Sequence, residues 1–236
     1  MKHNKQPVDE KCFQEFINTN FPSSEKWEED IKEQIQLNKS ILGAVKPAIE
    51  DIINTLNKKY REKENREFAR VIQGKEDIKS PRRIVEKIIQ HPNKYNQDNF
   101  AEEMEDIARM RIVCNYLSDI SEIANSIRDN EVIKGICRIV EETDYVFMER
   151  DRPHRAYHFI LESTLNQTKR KVELQIMTML QEAWDKKDHN LIYEKIRIGK
   201  EIDKKDRIKM GAMSELLYIA DEFFDYLRKK ILHEEE

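Results

Sequence analysis

The sequence predicts an α+β fold, a mixed β-sheet flanked by helices at both ends of the chain. Three observations carry that expectation. Apolar residues recur at helical spacing from Glu25 to about Phe68, short β-branched runs cluster between residues 111 and 176, and an amphipathic stripe runs from Lys205 to Ile231.

In chain order, Trp27, Ile31, Ile35, Ile41 and Val45 mark the first helical stretch, and Ile49, Ile52, Ile53 and Leu56 continue it past Pro47. A proline removes one backbone hydrogen bond and crowds the preceding turn, so a kink or break is expected there. Ser80-Pro81 reads as a helix start, a hydroxyl cap followed by proline, opening a helix through Ile84, Val85, Ile88 and Ile89 that stops near His91-Pro92. A polar loop, Asn93 to Asn99, and a short acidic segment lead into the run Arg111–Tyr116, which reads as a buried strand. A helix from Ile120 to Arg128 packs on it. Three more strands are expected near Ile136–Val140, Tyr157–Glu162 and Lys171–Ile176, then a helix from about Met179 to Glu194. The final helix carries Met210, Met213, Leu216, Leu217, Ala220, Phe223, Phe224 and Leu227 as its apolar stripe.

Composition removes several function classes. The 236 residues hold 42 Lys and Arg against 46 Asp and Glu, a formal net charge of −4, which argues against a chain-wide basic field for nucleic acid. No apolar run approaches the roughly 20 residues that span a bilayer, and the N-terminus lacks a signal-peptide core, so a cytoplasmic protein without a membrane role is expected. Cys12, Cys114 and Cys137 show no CxxC spacing and read as free thiols of a reducing compartment. None of the five glycines belongs to GxGxxG or GxxxxGKS. A polyphosphate bound here must be gripped by Lys and Arg side chains.

Four segments carry the candidate chemistry. Lys79-Ser-Pro-Arg-Arg-Ile-Val-Glu-Lys87 places two cations at and within a helix start, where phosphate is attracted. Asp106, in Asp106-Ile-Ala-Arg-Met-Arg111, stands just before a strand, where one carboxylate can hold Mg²⁺ while substrate phosphates supply other ligands. The segment Arg150-Asp-Arg-Pro-His-Arg-Ala-Tyr-His158 concentrates Arg and His beside a strand, and reads equally as an exposed charged loop or a nucleic-acid patch. Glu173-Leu-Gln-Ile-Met-Thr178 puts Glu173 and Gln175 on one strand face, with Trp184 and His189 following, and a cleft-facing carboxylate can bind a metal or deprotonate a hydroxyl.

In that order and spacing the four segments resemble the synthetase domain of RelA/SpoT enzymes, especially the stand-alone small alarmone synthetases, over about residues 75 to 195. Those carry a basic Lys-x-x-x-Ser-Ile-x-x-Lys-like stretch, then Asp-Ile-Ala-Gly-Ile-Arg, Gly-Tyr-Arg-Ser-x-His, and Glu-x-Gln-Ile-Arg-Thr with a following Trp and His. The resemblance implies a nucleotidyltransferase-like synthetase core at 75–195, with an N-terminal helical extension at 1–74 and a C-terminal amphipathic helix at 196–236. It implies transfer of the β,γ-pyrophosphate of ATP to a ribose 3′-hydroxyl with Mg²⁺. Asp106 and Glu173 would be the catalytic and metal-holding carboxylates, and Lys79, Lys87 and Arg111 would bind ATP, Arg111 by stacking on adenine. Arg150, His154, Arg155, His158, Gln175 and His189 would line the acceptor side, with Arg150 and Arg155 on phosphates.

The sequence departs from that pattern at His154 for Tyr, Pro153 for Gly, Arg109 for Gly, Met177 for Arg, Asp77 where an Arg is frequent and Ile192 where an Asn is common. Both carboxylates persist while the acceptor pocket changes. Three readings therefore stand open. One is an enzyme making a (p)ppGpp-like alarmone on a guanine nucleotide. Another is a toxin-type pyrophosphokinase acting on the tRNA 3′ end or an adenine nucleotide, with Lys169, Arg170 and Lys171 as a basic surface and an antitoxin protein as partner. The third is a catalytically degenerate nucleotide-binding module. The C-terminal helix adds the expectation of a homo-oligomer.

Overall fold

The computed structural model describes residues 8–21, 23, 25–72, 77–147, 153–163 and 169–234. Its centre is a five-stranded mixed sheet of order β1-β2-β5-β4-β3, comprising β1 (Ala69–Ile72), β2 (Ala108–Cys114), β3 (Cys137–Asp144), β4 (Tyr157–Ser163) and β5 (Lys171–Thr178). Only β2 and β5 run parallel, with Arg109 opposite Glu173 and Arg111 opposite Gln175; the other pairs are antiparallel.

Strand alternation sorts the sheet into two chemically different faces. Ala108, Met110, Ile112 and Cys114 of β2, Phe159 and Leu161 of β4, and Val172, Leu174 and Ile176 of β5 are buried in one apolar cluster. That face is covered by α3 (Gln36–Glu64), α6 (Leu117–Asp129) and α7 (Glu131–Ile136), through residues such as Ile49, Ile53, Ile120, Ile127 and Ile133. The intervening residues, Arg109, Arg111, His158, Glu173 and Gln175, emerge on the opposite face, which is the candidate site. A second apolar cluster beside the sheet joins α1 (Glu10–Asn20), α2 (Trp27–Gln34), α4 (Pro81–Gln90) and α5 (Phe100–Glu103) through Phe13, Ile17, Ile31, Ile84, Ile88 and Phe100.

Two expectations need correction, at Pro47 and after Met179. The first helical stretch breaks at Ile35 (φ −90°, ψ 0°), and α3 continues unbroken through Pro47. Pro47 and Gly43, whose carbonyl loses its partner, are both exposed, so water can satisfy that carbonyl while Ile41, Val45 and Ile49 keep their packing. The helix beginning at Met179 stops at Asp188 as α8 and passes through a π-helical turn, His189–Tyr193, into the short α9 (Glu194–Arg197). The C-terminal helix, α10 (Lys204–Glu234), forms as expected, with a polar side turned inward. Ser214, Asp221 and Asp225 are buried, whereas Met213, Leu216, Phe223 and Phe224 are exposed. Hydrogen bonds decide this orientation. Thr178 donates to Asp221 at 2.5 Å, Ser118 to Asp225 at 2.6 Å, Arg228 to Glu64 at 2.9 Å, and the Trp184 indole to the Met210 carbonyl at 2.8 Å.

β1, α1 and α7 were not foreseen. The signal for α1 was present, since the Asp9 side chain caps the Cys12 amide and Phe13, Phe16 and Ile17 share one face. β1 offers only the four residues Ala-Arg-Val-Ile.

Candidate active site

Asp106 lies in the turn between α5 and β2. The backbone bond from Lys79 N to Ile107 O, 2.8 Å, and the bridge between Ile78 and Ala108 fasten the chain before α4 against the start of β2. Ser80 and Pro81 then open α4, whose Ile84, Val85 and Ile88 are buried, so Lys87 is turned back toward the same point. Lys79 Nζ lies 2.8 Å from Asp106 Oδ2 and Lys87 Nζ lies 2.7 Å from Oδ1. Burial alone would raise the Asp106 carboxyl, but the two ammonium groups overcome it and hold it well below the ordinary carboxylate range. Burial lowers Lys79, with Lys87 and Arg109 adding to the effect and Asp106 opposing it.

Across the sheet a ring of polar contacts surrounds the remaining predicted residues. Arg111 Nη2 is 2.9 Å from Asp185 Oδ2 and donates to Gln175 Oε1 at 3.2 Å. Gln175 Nε2 donates to Glu173 Oε2 at 3.1 Å, and Glu173 Oε1 is 3.2 Å from His158 Nδ1. His158 meets His154 edge to face, with ring centroids 5.6 Å apart, and His154 Nδ1 returns to Asp185 Oδ1 at 3.1 Å. Burial would raise Glu173, yet the His158 bond holds it lowered, with Arg109 assisting and Asp106 opposing. Burial would raise Asp185 too, and the His154 bond with the Arg111 and Arg109 charges brings it down to about 2. The cleft therefore presents three ionised carboxylates, Asp106, Glu173 and Asp185, each compensated by named cations.

Beside this ring opens a cavity of about 430 Å³, lined among others by Asp77, Arg109, Arg111, Gln175, Asp185 and His189. The volume falls within the range of small-molecule sites. The π-turn after α8 presents His189, which stacks on Tyr193 with centroids 5.0 Å apart and lies 3.3 Å from Glu194.

The structure thus brings together Lys79, Lys87, Asp106, Arg111, His154, His158, Glu173, Gln175 and His189. Arg155 is directed elsewhere: its guanidinium donates to the Val146 carbonyl at 2.7 Å, pairs with Glu215 at 2.5 Å and stacks 3.9 Å over Tyr218. It anchors α10, and the expectation that it grips phosphate is not met in this arrangement. Arg150 lies outside the described residues. Asp185 escaped the sequence reading, although it stands four residues before His189, one helical turn away, and next to Trp184. Arg109, which the sequence offers only as a departure from a motif, stands opposite Glu173 in the sheet.

Among the described residues no group of three or more His, Cys, Asp or Glu converges on a metal-sized site. Two ionised carboxylates, Asp106 and Glu173, nonetheless suit a hard divalent ion that draws its other ligands from phosphate and water, as Mg²⁺ does. No helix of the described residues is long and apolar enough to cross a membrane.

Ionised carboxylates among lysines and arginines on one face of a mixed sheet suit a phosphate-bearing ligand and a divalent ion. The chain belongs to the RelA/SpoT family: the family model described as a region found in RelA/SpoT proteins matches residues 76–197. It is 27% identical over 161 residues, 66% of this chain and 73% of the relative, to the GTP pyrophosphokinase YwaC of Bacillus subtilis. The fold is similar to that of small alarmone synthetase 2 from Bacillus subtilis, with TM-score 0.64 and 24% identity over 85% of this chain and 99% of that one. It is also similar to small alarmone synthetase 1 of the same organism bound to its product pppGpp, with TM-score 0.63 and 21% identity over 82% and 97% of the two chains.

Proposed function

We propose that this RelA/SpoT-family pyrophosphokinase transfers the β,γ-pyrophosphate of ATP to the 3′-hydroxyl of a guanine nucleotide. The observation that carries the reading is Glu173, a largely covered carboxylate kept ionised by His158 on the same sheet face as Arg111 and near the lysine-held Asp106. Lys79 and Lys87 bind the polyphosphate, Arg111 holds the base, and Gln175 and Asp185 fix the guanidinium from its edge. Glu173 accepts the proton of the 3′-hydroxyl as its oxygen bonds to the β-phosphorus, while the bond between that phosphorus and the α,β-bridging oxygen breaks and AMP leaves. Asp106 and Glu173 are the residues that would hold Mg²⁺, which would supply charge neutralisation for the migrating group. His154, His158 and His189 serve the acceptor side.

The guanine acceptor is supported by the name of the curated relative, a GTP pyrophosphokinase. The tRNA reading needs a basic surface beyond the cleft. Arg170 is instead 3.0 Å from Glu102 and Lys171 is 3.7 Å from Glu103, so two of its three candidate cations are answered within the chain. The exposed apolar side of α10 supports assembly with a second copy, and a Phe223→Ser/Phe224→Ser variant is expected to sediment as a smaller species than wild type.

The test is AMP release from ATP with GDP and Mg²⁺. Wild type is expected to release AMP, whereas Glu173→Gln loses about 10²–10⁴-fold in rate while still binding ATP. An unimpaired Glu173→Gln variant would remove Glu173 from the mechanism.

A further inference from the structure

Each oxygen of Asp106 already accepts a hydrogen bond from a lysine ammonium. Lys79 approaches Oδ2 to 2.8 Å and Lys87 approaches Oδ1 to 2.7 Å, and the two ammoniums come from different elements. Lys79 stands in the segment tied by its own amide to Ile107, and Lys87 stands on a helix whose apolar face is sealed in the second cluster. Neither backbone is placed to swing away. The Lys87 ammonium also sits 5.5 Å over the Tyr95 ring, a third restraint on its position. With their side chains mostly covered, 17% and 21% exposed, the lysines form a clamp already assembled around the carboxylate.

A divalent cation approaching this carboxylate meets two costs at once. One lone pair on each oxygen is engaged by a charge-assisted hydrogen bond, which weakens the carboxylate as a ligand, and the ion must come within a few ångströms of two positive charges in a partly desolvated site. A polyphosphate relieves both. Its oxygens offer the ammoniums stronger anionic partners, and their departure exposes the carboxylate while the phosphates complete the ion's coordination.

We infer that Lys79 and Lys87 close Asp106 to a bare divalent cation and release it only when a nucleotide polyphosphate takes over their ammonium groups. The inference rests on the reading of this cleft as a nucleotide polyphosphate site. It makes ion and nucleotide thermodynamically linked, so each raises the affinity of the other by the same factor. It also assigns the lysines a gating role in addition to phosphate binding, with the counterintuitive consequence that deleting one of them creates a metal site.

Mn²⁺ binding, followed by the loss of its free-ion paramagnetic resonance signal, tests this without turnover. Wild type, Lys87→Met, Lys79→Met, Lys87→Arg and Asp106→Asn are titrated alone and with a non-hydrolysable ATP analogue, each read against a protein-free blank. Lys87→Met and Lys79→Met are expected to bind Mn²⁺ alone about tenfold or more tighter than wild type, and the analogue is expected to tighten wild-type binding by at least the same factor. Lys87→Arg, which keeps the cation, stays closed, and Asp106→Asn loses the ion under every condition. The two methionine variants act from separate elements, so a folding defect in one leaves the other as the test. Wild type binding Mn²⁺ alone as tightly as both methionine variants would overturn the clamp. Failure of wild type to bind the analogue at any Mn²⁺ concentration would instead overturn the nucleotide reading beneath it.

Discussion

Asp185 holds two partners at once, the Arg111 guanidinium at 2.9 Å and the His154 imidazole at 3.1 Å, and so joins β2 to the segment before β4. Against the opposing effect of burial, the His154 bond and the Arg111 charge hold its carboxyl down from the ordinary aspartate value to about 2 in the folded state. The stability it contributes is fully present above about 4 and disappears as pH falls through about 2, worth about 2 kcal/mol at neutral pH. Urea unfolding of Asp185→Asn should therefore show a deficit against wild type at pH 7 that closes toward pH 2. A deficit independent of pH would mean the charge is not what Asp185 supplies. At this scale the sequence was legible where strand alternation alone decides direction: Glu173 and Gln175 were placed on one face by a two-residue period, and both face the cleft. It was misleading at Arg155, because a local cluster of cations reveals charge but not which neighbouring element each side chain meets. Asp185 was hidden for the same reason, since its role arises only when β2, the 154–158 segment and α8 converge.

At the scale of elements, α10 is the instructive case. Its apolar stripe suits either core packing or assembly of subunits, and within the monomer the helix seats itself by Asp221, Asp225, Ser214 and Arg228. Hydrophobic periodicity ranks faces by polarity and cannot weigh a set of matched hydrogen bonds that only the tertiary partners Thr178, Ser118 and Glu64 create. This seating has a cost at Asp221. Burial pushes its carboxyl up to about 6, against the lowering bond from Thr178 and with Asp225 adding to the rise. An acid with a raised folded-state pKa destabilises the fold progressively as pH climbs from about 4 through about 6, by about 3 kcal/mol once ionised. Asp221→Asn keeps an acceptor for Thr178 without the charge. It should raise the melting temperature at pH 8 and leave it unchanged near pH 4; a loss at both would show that the carboxylate itself is needed. The chain around Pro47 failed in the opposite way, because the rule that proline interrupts helices gave way to an exposed Gly43 carbonyl and a continuous buried stripe.

For the whole molecule, the two-faced sheet is the organising fact. Its apolar side is packed by α3, α6 and α7, which frees the other side to carry charge, and the second cluster brings α4 with Lys87 up to the edge of that charged face. The α+β class and the strands β2, β4 and β5 were readable because their local patterns agree with their burial. The unforeseen β1 is an edge strand of four residues, too short to declare a period. The central claim is that this arrangement moves a pyrophosphate from ATP to a guanine nucleotide. The most direct measurement incubates the purified protein and Mg²⁺ with γ-labelled ATP, offering GDP, GTP, ADP, ATP and deacylated tRNA separately, with Glu173→Gln alongside. Label transferred to GDP or GTP, and lost in the variant, is the expected result. Label on tRNA or an adenine nucleotide alone, or on no acceptor while ATP still binds, would contradict it.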